Sequence, residues 1–264
     1  MIDIHSHLIP GVDDGSQSLE ESLSLLKQAE QDGITELITT PHFMKNGEFR
    51  MKAPELVQRF SELKQAYKGP IKLHLGNELY IHPDLPELLE KGEILTLAES
   101  DYILVEFPFQ NYKEEYDEIL YELSLKYRII IAHPERYSYV QEDPNVCLRW
   151  LNEGYYLQVN QNSLFKKETK KVLVSMVEHG FVSFVASDAH NERRPCVLSE
   201  LKEFLAEEFG NTIAFQLIEE NPRKILSNEK ILQYHGKKIQ KKRRKLDLKI
   251  FKRKVYKFYP NCEC

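Results

Sequence analysis

The sequence predicts an α/β fold of the parallel barrel kind, and three observations carry that expectation. Short apolar runs alternate with longer amphipathic stretches as far as residue 209, the pattern of repeated β-α units rather than of a sandwich or a helical bundle. Seven such runs are present, one fewer than in the usual eight-stranded barrel. Six of the seven finish on an imidazole or a carboxylate, at the strand ends where β-α units carry their functional loops.

The first strand, residues 2–5, begins almost at Met1. A helix over 18–32 follows, opened by Ser18 with Glu21 three residues on and closed by Gly33. The strand at 35–40 leads to a helix over 53–67, that at 71–76 to one over 83–91, and that at 102–106 to one over 112–126. Strands at 128–132 and 155–159 flank a helix over 144–153. A helix over 163–179, closed by Gly180, precedes the seventh strand at 182–186, and a helix over 196–209 follows it. Asn221-Pro222 opens a last short helix. With no internal repeat and no low-complexity linker before Gly236, residues 1–236 read as one catalytic barrel and residues 237–264 as a tail.

At 264 residues and 42% hydrophobic content the chain is long enough for a single barrel core. Mean hydropathy is −0.48, and no apolar run approaches the roughly 18 residues of a membrane span, so a soluble protein is expected. Cys147, Cys196, Cys262 and Cys264 are too scattered for a disulfide framework or a four-thiolate zinc site. No charged-then-apolar leader precedes the first strand; the expected location is the cytoplasm. The net charge of −5 averages two unlike segments. Residues 237–264 hold 12 Lys/Arg and 2 Asp/Glu, against 24 and 39 in residues 1–236, so the body carries about −15 and the tail about +10.

The strand ends read Ile-Asp-Ile-His5-Ser-His7, Ile-Thr-Thr-Pro-His42, Leu-Gly-Asn-Glu78, Ile-Leu-Val-Glu106, Ile-Ile-Ala-His133 and Ala-Ser-Asp188-Ala-His190. His5 and His7, like Asp188 and His190, are two apart, so in extended chain both members of each pair face one side. Adding Asp14 from the Asp13-Asp14-Gly15 turn, where Asp13 is the alternative, gives five imidazoles and four carboxylates. An all-N/O donor set of this size suits two or three ions of Mn²⁺, Fe, Zn²⁺ or Mg²⁺, with Glu106 the expected bridging carboxylate. His74, His82, His179 and His235 are read as ordinary strand, helix or loop residues.

Four carboxylates carry −4 against +4 to +6 for two or three divalent ions, so the loaded site attracts an anion. Arg136 and the Arg193-Arg194 pair add guanidinium groups suited to phosphate. Phosphate ester hydrolysis fits this field, with a metal-activated water and with arginines meeting the transition-state charge. A cysteine-dependent phosphatase is excluded: Arg six positions after the Cys is required, and Glu153 follows Cys147 and Lys202 follows Cys196 at that spacing. Neither a Gly-rich phosphate loop nor a Gly-x-Ser-x-Gly elbow is present.

His5-Ser-His7, Asp13-Asp14-Gly15, Thr-Pro-His42, Gly-Asn-Glu78, Val-Glu106-Phe-Pro-Phe, Ala-His133-Pro-Glu-Arg136 and Ala-Ser-Asp188-Ala-His190-Asn together resemble the polymerase and histidinol phosphatase (PHP) superfamily. Within it, the chain is most similar to the bacterial metal-dependent protein-tyrosine phosphatases encoded beside capsule and exopolysaccharide genes, over about residues 1–227. The resemblance implies a distorted seven-stranded β/α barrel and a trinuclear site, usually described with manganese, on the same nine positions. It also implies a phosphorylated bacterial tyrosine autokinase as substrate and thereby control of polysaccharide export. Arg136 carries over as a phosphate-binding catalytic residue, and Arg194 is taken over Arg193 as the second. Phe43, Phe107, Phe109 and Tyr112 are candidate platforms for a phosphotyrosine ring.

The tail joins Lys241-Lys-Arg-Arg-Lys245 to Leu246, Leu248, Ile250, Phe251, Val255, Tyr256, Phe258 and Tyr259. Each Lys or Arg near an anionic membrane contributes on the order of 1 kcal/mol, so peripheral, reversible contact with the membrane's inner face or with the kinase is expected. The acidic body argues against a nucleic-acid partner. The competing readings are a small-molecule phosphatase of the histidinol-phosphate kind and a non-catalytic, metal-bound docking module.

Overall fold

The computed structural model describes residues 1–232 and 236–240. His235 and most of the basic tail lie outside the described residues. Nine parallel strands are present among them: β1 (Ile2–Asp3), β2 (Glu36–Thr39), β3 (His42–Phe43), β4 (Lys72–Leu75), β5 (Glu78–Tyr80), β6 (Tyr102–Glu106), β7 (Arg128–Ala132), β8 (Tyr156–Asn160) and β9 (Phe184–Ala186). They form a sheet β1-β2-β4 and a sheet β3-β5-β6-β7-β8-β9, joined by the parallel bridge Ser6↔Ala189 between the ends of β1 and β9. The circuit is an α/β barrel with seven strand positions, as expected. Two positions are broken. Pro41, which has no N–H to donate to a ladder, separates β2 from β3, and Gly76-Asn77 separates β4 from β5. Asn77 fastens both breaks, donating from Nδ2 to Pro41 O (3.0 Å) and accepting the Leu95 N–H at Oδ1 (2.9 Å).

Ten α-helices among the described residues cover the outside: α1 (Leu19–Asp32), α2 (Ala53–Ala66), α3 (Leu85–Glu90), α4 (Glu115–Ser124), α5 (Ser138–Glu142), α6 (Cys147–Asn152), α7 (Lys167–Glu178), α8 (Ser199–Phe209), α9 (Asn211–Phe215) and α10 (Asn221–Leu226). The boundary signals act as expected at α1: the Ser18 hydroxyl accepts the Glu21 N–H at 3.1 Å, and Gly33 ends the helix at φ +88°. The stretch from 211 to 220 is helical where the sequence reading left a connection. Ala214, Leu217 and Ile218 form its buried face.

Period-two alternation along the strands separates an inner cluster from two outer ones, the smaller outer one built on Leu25, Leu26, Leu37, Leu56 and Leu73. Ile2, Ile38, Tyr102, Leu104, Ile130, Tyr156, Phe184 and Ala186 form one cluster. Their alternates Ile103, Val105, Ile129, Ile131, Leu157, Val159 and Val185 pack in a second with helix residues such as Leu120, Leu173 and Leu201. The last described residues stay on this body: Lys237 N–H donates to His179 O (2.9 Å), and Ile239 exchanges two hydrogen bonds with Asn145. The described helices include none long and apolar enough to cross a membrane.

Candidate metal centre

All nine side chains singled out as metal ligands converge at the C-terminal ends of the strands. His5 and His7 follow β1, His42 opens β3, Glu78 opens β5, Glu106 ends β6, His133 follows β7, and Asp188 and His190 follow β9. The ladder aligns several of them, with His42 opposite Glu78 and Tyr80 opposite Glu106. Asp14 reaches in from the loop before α1. Two ligand candidates hold backbone angles rare outside glycine, His133 at φ +33° and Asp188 at φ +52°. Such angles cost about 1–3 kcal/mol each and cluster at functional sites.

The donor atoms can be taken as three neighbourhoods that share residues, His133 also lying with His5 and Asp188, and His42 with Glu78 and Glu106. In the first, His5 Nε2 and His7 Nε2 are 3.1 Å apart. They lie 3.2 and 3.3 Å from Glu78 Oε2 and 3.4 and 3.5 Å from Asp188 Oδ1. In the second, His133 Nε2 lies 3.0 Å from Glu78 Oε1 and 3.6 Å from Glu106 Oε1. In the third, Asp14 Oδ1 is 3.5 Å from both His42 Nε2 and His190 Nε2. Glu78 therefore offers one oxygen to each of the first two groups. Glu106, expected as the bridge, faces two histidines, with Oε1 3.6 Å from His133 Nε2 and Oε2 3.8 Å from His42 Nδ1; Glu78, which the β4–β5 break points into the middle of the ring, lies closer to His5, His7, His42 and His133.

The donor set fits divalent cations on its own chemistry. Glu78 Oε2, wholly buried, has His42 Nδ1 at 3.0 Å as well as His5 and His7, yet makes no hydrogen bond; His42 Nδ1 is likewise unpaired. Buried polar atoms are almost always satisfied, and bare N and O atoms aimed at one another are what a cation between them would satisfy.

The charges of the site are strongly polarised. Burial raises the Glu78 carboxyl, but His5 and His42 outweigh it and hold the group well below the usual range. Burial and the neighbouring Glu78 push Glu106 the other way, well above it. Asp188 is held well below its ordinary value against burial, by His5, His7 and Arg194. His133 is pushed down to about 4 by burial and by Arg136.

Asp188 also organises the arginines. Its Oδ1 faces the imidazoles, while Oδ2 accepts from Arg136 Nη1 (3.0 Å) and from Arg194 Nη2. The tight turn Asn191–Arg194, closed by an antiparallel bridge, folds Arg194 back to this position. Arg193 is exposed on the turn. Both Arg136 and Arg194 line a cavity of about 320 Å³ together with seven of the nine ligand candidates, all but His5 and His7, and with Met44, Tyr80, Pro108 and Phe109. Of the four candidate aromatic platforms only Phe109 borders it, 40% exposed with the Arg136 guanidinium 4.7 Å from its ring centroid. Phe43 and Phe107 are buried in the core. Tyr112 packs against Trp150 and Arg149.

Asp13, weighed from sequence as a substitute for Asp14, has a different position. It is buried and accepts from His7 Nδ1 (2.6 Å), the His42 N–H (2.9 Å) and the Gly15 N–H (3.0 Å). It orients His7 from behind, as outer carboxylates orient ligand imidazoles. The turn packs closely enough that a Cβ on Gly15 would stand 2.2 Å from His7 O. Glu135, also passed over, is buried beneath the site, accepting from Ser163 Oγ (2.6 Å) and the Asn160 N–H (2.8 Å). Three of the four histidines read as ordinary are so: His74 pairs with Glu36, His82 with Asn46, and His179 with Ser175 O.

This architecture has close relatives. The CpsB/CapC family of capsular polysaccharide synthesis matches residues 1–227. The chain is 34% identical to the tyrosine-protein phosphatase YwqE of Bacillus subtilis, over 93% of this chain and 98% of the relative. It is 34% identical to the tyrosine-protein phosphatase CpsB of Streptococcus agalactiae, over 88% and 100%. A crystal structure from the work on YwqE of Bacillus subtilis and CpsB of Streptococcus pneumoniae, described as unique metal-dependent tyrosine phosphatases, superposes with a TM-score of 0.87. That match has 31% identity and covers 91% of this chain and all of the other. With the motifs, the barrel and the donor set in agreement, the chain belongs to the CpsB/CapC family.

Proposed function

We propose that this chain is a metal-dependent protein-tyrosine phosphatase acting on a phosphorylated bacterial tyrosine kinase, and thereby on capsular or extracellular polysaccharide synthesis. The observation that carries the reading is the cavity itself, lined by seven of the nine ligand candidates and by two guanidinium groups. Three metals per chain would be held by His5, His7, Glu78 and Asp188; by Glu78, Glu106 and His133; and by Asp14, His42 and His190. Mn²⁺ is the proposed ion, and the same donors accept Fe, Mg²⁺ or Zn²⁺. When bound, such ions lower the pKa of a water and neutralise phosphoryl oxygens. Arg136 and Arg194 receive the remaining phosphoryl charge, oriented by Asp188. The basic tail, about +10 by sequence, supports peripheral contact with an anionic membrane where such a kinase sits.

The test compares hydrolysis of a phosphotyrosyl peptide, a phosphoseryl peptide and histidinol phosphate, with and without chelator. The phosphotyrosyl peptide is expected to be the best substrate, chelator to lower its rate by about 100-fold or more, and Mn²⁺ to restore it. Preference for histidinol phosphate overturns the assignment of substrate, and absence of any turnover favours a docking module. The rim makes a narrower prediction. Stacking on an aromatic ring contributes about 0.5–1.5 kcal/mol, so Phe109→Ala raises KM for the peptide by about 3–10-fold with kcat within twofold. An unchanged KM removes Phe109 from the substrate site.

A further inference from the structure

β8 is the one strand position that ends on neither an imidazole nor an acid. Two primary amides stand there, Gln158 and Asn160, both buried on a strand with no exposed residue. Their side chains join His5 to Asp188 in an unbroken chain. His5 Nδ1 is 3.0 Å from Gln158 Oε1, Gln158 Nε2 donates to Asn160 Oδ1 at 2.7 Å, and Asn160 Nδ2 donates to Asp188 Oδ2.

The direction of this chain is forced from one end. The Asp188 carboxylate, flanked by two guanidinium groups, can only accept. Asn160 must therefore turn its NH₂ to Asp188 and its carbonyl to Gln158. Gln158 must in turn offer its NH₂ to Asn160 and its carbonyl to His5. An imidazole nitrogen facing a carbonyl carries the proton, so His5 is protonated at Nδ1. Its Nε2 is the nitrogen that faces Glu78 Oε2, Asp188 Oδ1 and His7 Nε2.

We propose that Gln158 and Asn160 are positioning residues that lock His5 in the Nδ1–H tautomer and keep its Nε2 lone pair aimed at the cation position; this rests on the metal-site reading above. His7 is held by a different device, the Asp13 carboxylate on its Nδ1. The amide chain couples His5 to Asp188, so two ligands on strands at different places in the barrel are set by one network. A glutamate at 158 has the same shape but cannot donate. It would turn the Asn160 NH₂ toward itself and press the Asn160 carbonyl on the Asp188 oxygen.

The test is ¹H–¹⁵N correlation spectroscopy of ¹⁵N-histidine-labelled protein without metal, at a pH high enough that the His5 ring carries a single proton although Glu78 and Asp188 face its Nε2, with His5→Gln used to assign the His5 signal. Wild type is expected to show His5 as the Nδ1–H tautomer, Gln158→Glu to keep it, because a carboxylate facing Nδ1 still accepts that proton, and Gln158→Leu to lose that single form. An Nε2–H tautomer in wild type overturns the proposal, and this measurement needs no variant other than the assignment control. Competitive Mn²⁺ titration against a chelator is the second readout. Gln158→Leu is expected to weaken one site by about 10–100-fold while the other sites keep wild-type affinity. If wild type binds Mn²⁺ and His5→Gln weakens it but Gln158→Leu does not, the lock is refuted while the metal site stands. If wild type binds no Mn²⁺, the metal reading fails, and the lock as a device for metal binding falls with it.

Discussion

Glu78→Gln is expected to lower kcat on a phosphotyrosyl peptide by about 10³-fold, a loss of about 4 kcal/mol of transition-state stabilisation. The substitution keeps volume and removes charge. The carboxylate offers Oε1 to the His133 group and Oε2 to the His5–His7 group. Glutamine has one oxygen for these two places and turns an NH₂ donor into the other. Metal content after dialysis is expected to fall with activity. A variant that keeps wild-type metal content and more than a tenth of the activity overturns the central role of Glu78.

Arg136→Ala is expected to separate the two halves of the site. Removing one preorganised donor to developing charge costs about 10²–10³-fold in kcat/KM, and inhibition by inorganic phosphate should weaken in parallel. Metal content should not change, because Asp188 keeps its Oδ1 contacts with the imidazoles and Oδ2 keeps Arg194 and Asn160. Arg136→Lys should recover only a small part, since an ammonium lacks the planar fork and cannot both reach Asp188 and present donors to the cavity. Kinetics beside metal analysis checks this; equal loss of metal and activity would make Arg136 a structural strut.

Much of this was legible in the sequence because two periodicities coincide. Apolar alternation marked all seven strand positions, and the two-residue spacing of His5–His7 and Asp188–His190 placed each pair on one side. What alternation does not encode is where a strand breaks. Pro41 was a visible signal for one break, but the apolar run through Leu75 hid the other, and with it the close approach of Glu78 to four histidines. Adjacent acids were a second limit, since Asp13 and Asp14 have the same chemistry and only the turn decides which faces inward. The amides on β8 gave no signal, because Gln and Asn in a buried strand become meaningful only when both ends of their hydrogen-bond chain are known. Chemistry-bearing residue types showed which positions mattered; three-dimensional neighbours were needed to separate ligand from orienter.

The left-handed backbone at His133 and Asp188 sets a limit on how far this protein can be stabilised. A stability-guided redesign would place glycine or asparagine at such angles, and both positions carry side chains the site depends on. The strain therefore cannot be relieved by substitution there without losing a donor. Gains in thermal tolerance must come from elsewhere in the barrel, and the rigidity they bring will be set against loops whose unusual angles hold the donors in place.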